Sequence, residues 1–205
     1  MMMRADAARN RELILDAACL AFAAKGPEVP LEEIAAEAGV GVATLYRRFP
    51  SREDLVEAVA SRQIDLYEKA LRKALADSDP WQGFSGFVRT ATEIQARQPG
   101  LADVLMVPCH GPDPSRSAAI FDGYLELVRR AKLDGSLRED FAPEDLPMLL
   151  MANAGVLRGT AASAPRAWKR LVEYLLQAFS CPWQRPLPSP PTPAQMQRAM
   201  NNPAD

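Results

Sequence analysis

Apolar residues recur along this chain at helical spacing, and no alternating strand pattern stands out. Residues 31–52, LEEIAAEAGVGVATLYRRFPSR, predict two short helices joined by a tight turn at Gly39. Ile34, Ala35 and Ala38 share one side of the first, and Glu32, Glu33 and Glu37 fall elsewhere. Pro30 suits the helix start, where a missing N–H costs nothing. Gly39 stands where a left-handed residue commonly ends a helix. Val42, Leu45 and Phe49 recur at i, i+3 and i+7 and predict a buried stripe on the second helix. At about 100° per residue, Ala43 and Arg47 point away from that stripe, flanked by Thr44 and Tyr46. Arg48 lies at its edge. Pro50 stops the helix, and Ser51 with Asp54 predicts an N-cap for the next.

The pattern stays helical beyond. Glu53 to about Ala76 carries Leu55, Val56, Val59, Ile64, Leu66, Leu71 and Leu75. Asp79-Pro80 marks a new start, and residues 81–97 hold Trp81, Phe84, Phe87, Val88 and Ile94. After Gln98-Pro99-Gly100, a short helix with Leu101, Val104, Leu105 and Met106 is expected, then a loop from Pro108 to Pro114. Ser117 to about Leu133 forms another helix, ended by Asp134-Gly135. Ala142-Pro143-Glu144-Asp145 opens the next, lined by Leu146, Leu149, Leu150, Asn153 and Leu157. Pro165 starts the last, with Trp168, Leu171, Val172, Leu175, Leu176 and Phe179. From Pro182 the composition changes: PWQRPLPSPPTPAQMQRAMNNPAD holds seven of the eighteen prolines. It forms no regular helix before Pro193 and reads as a disordered or polyproline-like tail. A PxxP ligand is the alternative use.

The outward face of residues 42–48 carries a small residue, a hydroxyl, a phenol and a guanidinium. Arginine pairs bidentately with guanine O6 and N7 or grips phosphate as a fork. Threonine and tyrosine hydroxyls set register on phosphate oxygens. Ala43 lets a helix approach a groove floor. An ordinary helical hairpin with a solvated basic face satisfies the same spacing.

The stretch from about Arg9 to Val59 resembles the N-terminal domain of the TetR family of transcriptional regulators. The matching residues are Ile14-Leu15-Asp16-Ala17-Ala18 and Phe22, then Ile34-Ala35, Ala38-Gly39-Val40, Thr44-Leu45-Tyr46 and Phe49-Pro50-Ser51-Arg52. The wording around them is most similar to the SbtR-like branch. The resemblance implies an all-α chain: a three-helix helix-turn-helix DNA-binding domain over 1–52, linked by helix 53–76 to a helical ligand-binding and dimerisation domain over 77–181, with the tail at 182–205. It assigns Ala43, Thr44, Tyr46, Arg47, Arg48 and Arg52 to DNA. Many members carry Ser and Lys where this chain has Gly41 and Val42, and a hydroxyl residue at Pro30, so some backbone contacts are missing.

The resemblance further implies a homodimer through the last two helices, a double-stranded operator as partner, and an unknown small molecule that lowers operator affinity. Candidate pocket residues are Phe84, Phe87, Met106, His110, Phe121, Tyr124, Met151 and Asn153, a lining suited to an apolar or aromatic ligand. Plain core packing is the alternative for each. A helical interaction module that has weakened or lost DNA binding is the rival function.

Composition narrows this picture. Of 205 residues, 48% are hydrophobic and 24% charged, enough for a real core. The net charge of −2 gives no overall basic footprint, so DNA affinity must come from gathered arginines. Arg4, Arg9 and Arg11 supply some, or form a solvated arm. No secretory signal or membrane span is read, and Cys19, Cys109 and Cys181 suggest a reducing cytoplasm rather than disulfides. With one histidine, no nucleophile–base motif, no phosphate loop and only the lone pair Cys109-His110, no enzyme activity, metal or cofactor is expected.

Overall fold

The computed structural model describes residues 2–26, 28–97, 113–182 and 187–201. Among them no strand forms, and the helices are α1 (Met2–Lys25), α2 (Leu31–Glu37), α3 (Val42–Arg48), α4 (Arg52–Leu75), α5 (Pro80–Arg97), α6 (Pro114–Leu133), α7 (Asp145–Thr160), α8 (Ala167–Phe179) and α9 (Pro193–Asn201). The short helix expected near 101–106, with Met106, Cys109 and His110, lies outside the described residues, as does Trp183. No helix of the described residues is long and apolar enough to cross a membrane.

Two apolar cores are built in sequence order. In the first, Ile14, Leu15, Ala18 and Phe22 of α1 meet Ile34 and Ala35 of α2, Leu45 of α3, Phe49, and Leu55 and Val59 of α4. In the second, Ile64, Tyr67 and Leu71 of α4 meet Phe84, Phe87 and Ile94 of α5 with Tyr124 of α6, Leu149 of α7 and Trp168 of α8. A single helix, α4, therefore serves both cores. Its start is fixed by a capping box in which Ser51 Oγ accepts from the Asp54 N–H at 3.1 Å and Asp54 accepts from the Ser51 N–H at 2.9 Å.

The helices of the second core keep a fixed direction. A short turn reverses α4 into α5, and Gly83 sits where an added Cβ would lie 2.7 Å from the Ala74 carbonyl oxygen. That close approach requires glycine. Running parallel to α4, α6 pairs Arg116 with Asp65 and Glu68, and further along Arg130 donates to the Leu75 and Asp77 carbonyls. On α8, Trp168, Val172, Leu176 and Phe179 are buried, each contributing about 2 kcal/mol by area removed from water.

Two boundaries and the state of the tail differ from the sequence reading. Helix α6 begins at Pro114, because Asp113 caps it by accepting the Arg116 N–H at 3.1 Å and proline is preset for the first turn. Helix α8 begins at Ala167, two residues after Pro165. The tail is partly ordered: Thr192 and Gln195 form reciprocal capping bonds at 2.9 and 3.2 Å that start α9, and Met196 is buried. Upstream of it, the Leu187 N–H donates to Asp140 at 2.7 Å.

Candidate nucleic-acid interface

The geometry of the reading head starts at Gly39. Its φ of +65° is the left-handed value that glycine adopts without a Cβ penalty. The Gly39 N–H bonds the Ala36 carbonyl at 3.1 Å and the Val40 N–H bonds the Ala35 carbonyl at 3.0 Å. This is a Schellman closure, and it satisfies the last carbonyls of α2 while turning the chain into α3. Leu45 and Phe49 then anchor α3 to the first core.

The rest of α3 faces outward. Ala43, Arg47 and Arg48 are exposed, Tyr46 is 42% exposed and Thr44 is half-buried. Val42 corrects the expected buried stripe, being 39% exposed. It is the first residue of a two-turn helix and sits ahead of the point where Leu45 enters the core. Its isopropyl group therefore joins Ala43 and Tyr46 on the outer surface. Arg47 and Arg48 fall in the last turn of α3, where cations also favour the helix dipole.

Two neighbours bear on this face. The Tyr46 hydroxyl donates to Glu32 of α2 at 3.5 Å, a long bond that leaves the phenol at the rim. The Arg11 guanidinium lies 5.8 Å from the Phe49 ring centroid, which brings one of the N-terminal arginines beside the end of α3. Arg52, expected at phosphate, is half-buried and donates to the Val29 carbonyl at 2.6 Å. Its guanidinium is thus engaged within the head.

The head is tied to the body by ion pairs that single-helix periodicity does not reveal. Arg62 of α4 contacts Asp16 at 2.6 Å and Glu12 at 3.7 Å, both on α1. One turn on, Arg116 of α6 bridges Asp65 and Glu68 of α4 at 2.6 and 2.8 Å. Its bond to Glu68 holds that carboxyl below the usual range.

The candidate pocket residues separate in space. Phe84, Phe87, Tyr124 and Asn153 are buried. Phe87 stacks on Tyr124 with centroids 6.1 Å apart, and Phe121 tilts against Tyr124 at 6.2 Å. Met151 is 40% exposed and does not join them. It shares α7 with Asn153 but lies about 200° away around the helix. Asn153 Nδ2 donates to Gln95 Oε1 at 2.7 Å, and Gln95 Nε2 donates to the Leu150 carbonyl at 3.0 Å. Gln95 had no distinguishing signal in the sequence. A separate cleft of about 180 Å³ opens between α5 and α8, walled by Arg89, Glu173, Trp168 and Lys169.

A trihelical head presenting a short basic helix, set on a helical body, defines a helix-turn-helix regulator. Residues 14–59 match the family model described as bacterial regulatory proteins, tetR family. The chain is 33% identical over 137 residues to the HTH-type transcriptional repressor KstR of Mycolicibacterium smegmatis, covering 64% of this chain and 67% of that protein. It is 44% identical over 72 residues to the repressor LfrR of the same organism, spanning 35% of this chain and 38% of LfrR. The crystal structure of the TetR transcription regulatory protein from Mycobacterium vanbaalenii superposes with a TM-score of 0.56 at 31% identity, over 87% of this chain and 99% of that one. The chain belongs to the TetR family of bacterial regulatory proteins. Relatives named for an activity are transcriptional regulators or repressors, not enzymes.

Proposed function

We propose that this protein is a homodimeric transcriptional repressor whose operator affinity is lowered by a small molecule bound in the helical body. The observation that carries this reading is the exposed face of α3, with Ala43, Tyr46, Arg47 and Arg48 free of the core that anchors the helix through Leu45. On DNA, Ala43 and Val42 would approach the groove floor and Arg47 a guanine edge or phosphate. Thr44, Tyr46 and Arg48 would hold the backbone. Arg52, with one N–H held by Val29, would contribute less to phosphate than an arginine on α3.

Dimerisation through α7 and α8 is supported by an exposed stripe on α7 of Met148, Met151, Ala152, Gly155 and Gly159, with Tyr174 on α8. Small residues there let a twin helix approach closely. Two heads about one DNA turn apart would read two half-sites. Ligand control would act by preference for one spacing of the heads over another. The structure of LfrR in complex with proflavine, 26% identical with a TM-score of 0.60, supports control by a small molecule. The SbtR-like branch rests on the wording of residues 29–50, and a cytoplasmic location on the cysteine usage.

Gel retardation with the DNA upstream of the chain's own gene tests the reading. Binding that weakens steeply with salt, and drops about tenfold or more in Arg47→Ala, is expected. Binding unchanged in both Arg47→Ala and Tyr46→Ala would sink the assignment of α3. The Tyr46–Glu32 contact and the engaged Arg52 favour one rival, a module of the same fold with weakened DNA affinity. Absence of salt-dependent retardation on any upstream fragment would select it.

A further inference from the structure

We infer that the body's ligand is an uncharged molecule with a hydrogen-bonding head group, received by a buried polar layer made by Gln63, Ser117 and the Gln95–Asn153 pair. This rests on the ligand-responsive reading above and gives its chemical class. Gln63, Gln95 and Asn153 are at most 1% exposed and Ser117 is 3% exposed. Both amide atoms of Gln63, the Ser117 hydroxyl and Asn153 Oδ1 have no hydrogen-bond partner among the described residues. Native proteins rarely bury such groups without a partner, because each gives up water and gains nothing.

These groups fall at one level of the bundle. The Arg116 bonds to Asp65 and Glu68 place the adjacent Ser117 beside the turn of α4 that follows Gln63. The Phe87–Tyr124 stack fixes α5 against α6, which run in opposite directions. Seven residues back along α6 leads to Ser117, and eight forward along α5 leads to Gln95, toward the same end. Asn153 is bonded directly to Gln95. Gln63 also stands between the two apolar cores, which end at Val59 and resume at Ile64 on α4.

The layer offers amide N–H and hydroxyl donors, and amide and hydroxyl acceptors. Among the described residues it contains no charged side chain. The buried charged residues, Arg138 and Asp145, belong to residues 134–145 beyond the opposite end of α6, and each is hydrogen-bonded there. Arg62 Nη1 is also buried without a partner among the described residues, but its guanidinium faces α1 and already meets Asp16 and Glu12. A carboxylate or ammonium entering the layer would lose its hydration and find no opposite charge, whereas an amide, hydroxyl or ketone finds both donors and acceptors. Ile64, Phe87, Ile94 and Tyr124 supply apolar surface for the rest of the molecule.

The test uses the full chain and one alkyl length with five heads: octanamide, 1-octanol and 2-octanone against octanoate and octylammonium. Thermal melting and titration calorimetry read binding. At least one neutral probe is expected to raise the melting midpoint, with the two ions binding at least tenfold more weakly. Gln63→Leu and Asn153→Leu should each weaken the neutral probe at least fivefold. Gln63→Leu should hold or raise the midpoint of the free protein, since it removes an orphaned amide, so lost binding there is not lost folding. The inference is overturned if no neutral probe binds, if either ion binds as well, or if both leucine variants bind undiminished. Retardation of upstream DNA without probe is measured in parallel: its failure rejects the regulatory reading, and its success alongside absent neutral binding rejects only this inference.

Discussion

The guanidinium of Arg52, the first residue of α4, donates to the carbonyl oxygen of Val29 at 2.6 Å, tying the start of α4 to the residue before Pro30. This contact closes the reading head across the two ends of the α2–α3 unit. It gives Arg52, expected at phosphate, an internal bond as well. Arg52→Ala should therefore destabilise the protein by about 1.5 kcal/mol, the worth of a charge-assisted bond to a partly buried carbonyl. Urea unfolding measures this. In gel retardation, Arg52→Ala should leave the salt slope near that of the parent, whereas Arg48→Ala should lower it by about one unit. A lowered slope in Arg52→Ala without lost stability would return Arg52 to the DNA.

Dimerisation through α7 and α8 predicts that charge on their outer face separates the subunits. Met151 and Tyr174 are 40% and 53% exposed, so replacing them leaves the inner packing intact. Met151→Glu with Tyr174→Glu should convert a dimer to a folded monomer of 22.4 kDa by light scattering, with unchanged helical circular dichroism. Operator affinity should fall with it, because one head reads one half-site. A parent chain that is already monomeric at micromolar concentration would reject the interface.

Asp140 gives a pH signature. Its hydrogen bonds from Arg138 and from the Leu187 N–H lower its pKa from 3.8 to about 2. A depressed carboxylate stabilises the fold above its unfolded pKa and loses that contribution as pH falls through the folded one. The parent should exceed Asp140→Asn in urea midpoint at pH 5, and the gap should narrow between pH 4 and pH 2. A gap that stays constant across that range would show that the ionised carboxylate is not what stabilises the start of the tail.

Thiol reactivity should separate two cysteines. Cys19 is buried against α4, and burial pushes its thiol pKa up to about 11, with Arg62 opposing the rise. Cys181, half-exposed beside the antiparallel bridge between Leu137 and Ser180, meets solvent. Iodoacetamide at pH 8, followed by peptide mass mapping, should label Cys181 at least tenfold faster than Cys19, since only the thiolate reacts. Equal rates would place Cys19 outside the core.

Helix periods, the Gly39 turn and the Ser51–Asp54 cap were legible because each depends on residues within a turn or two of one another. Angular spacing alone placed Ala43, Tyr46 and Arg47 outward, but it also counted Thr44 outward, which is half-buried, and set Arg48, which is exposed, at the edge of the apolar stripe. It put Val42 in the buried stripe, because periodicity assigns a face without saying where along a short helix the core begins. Apart from His110 and Asn153, the candidate pocket residues were legible only as apolar or aromatic. Met151 lies outside, and Gln63 and Gln95, whose significance is their burial, carry no mark in an amphipathic pattern.

The sequence by itself determined an all-α chain, the positions of most of its helices and a basic-ended α3 that resembles a known reading head. Those features arise from local backbone preference and from the 3.6-residue period. Tertiary structure decided what each polar side chain touches: Arg52 held by Val29, Arg62 by Asp16, Asn153 by Gln95, and Gln63 left without a hydrogen-bond partner among the described residues. These pairings join residues 23, 46 and 58 positions apart. Hydrogen bonds and ion pairs act over a few ångströms, so the partner is set by which helices pack together, and no local pattern records it.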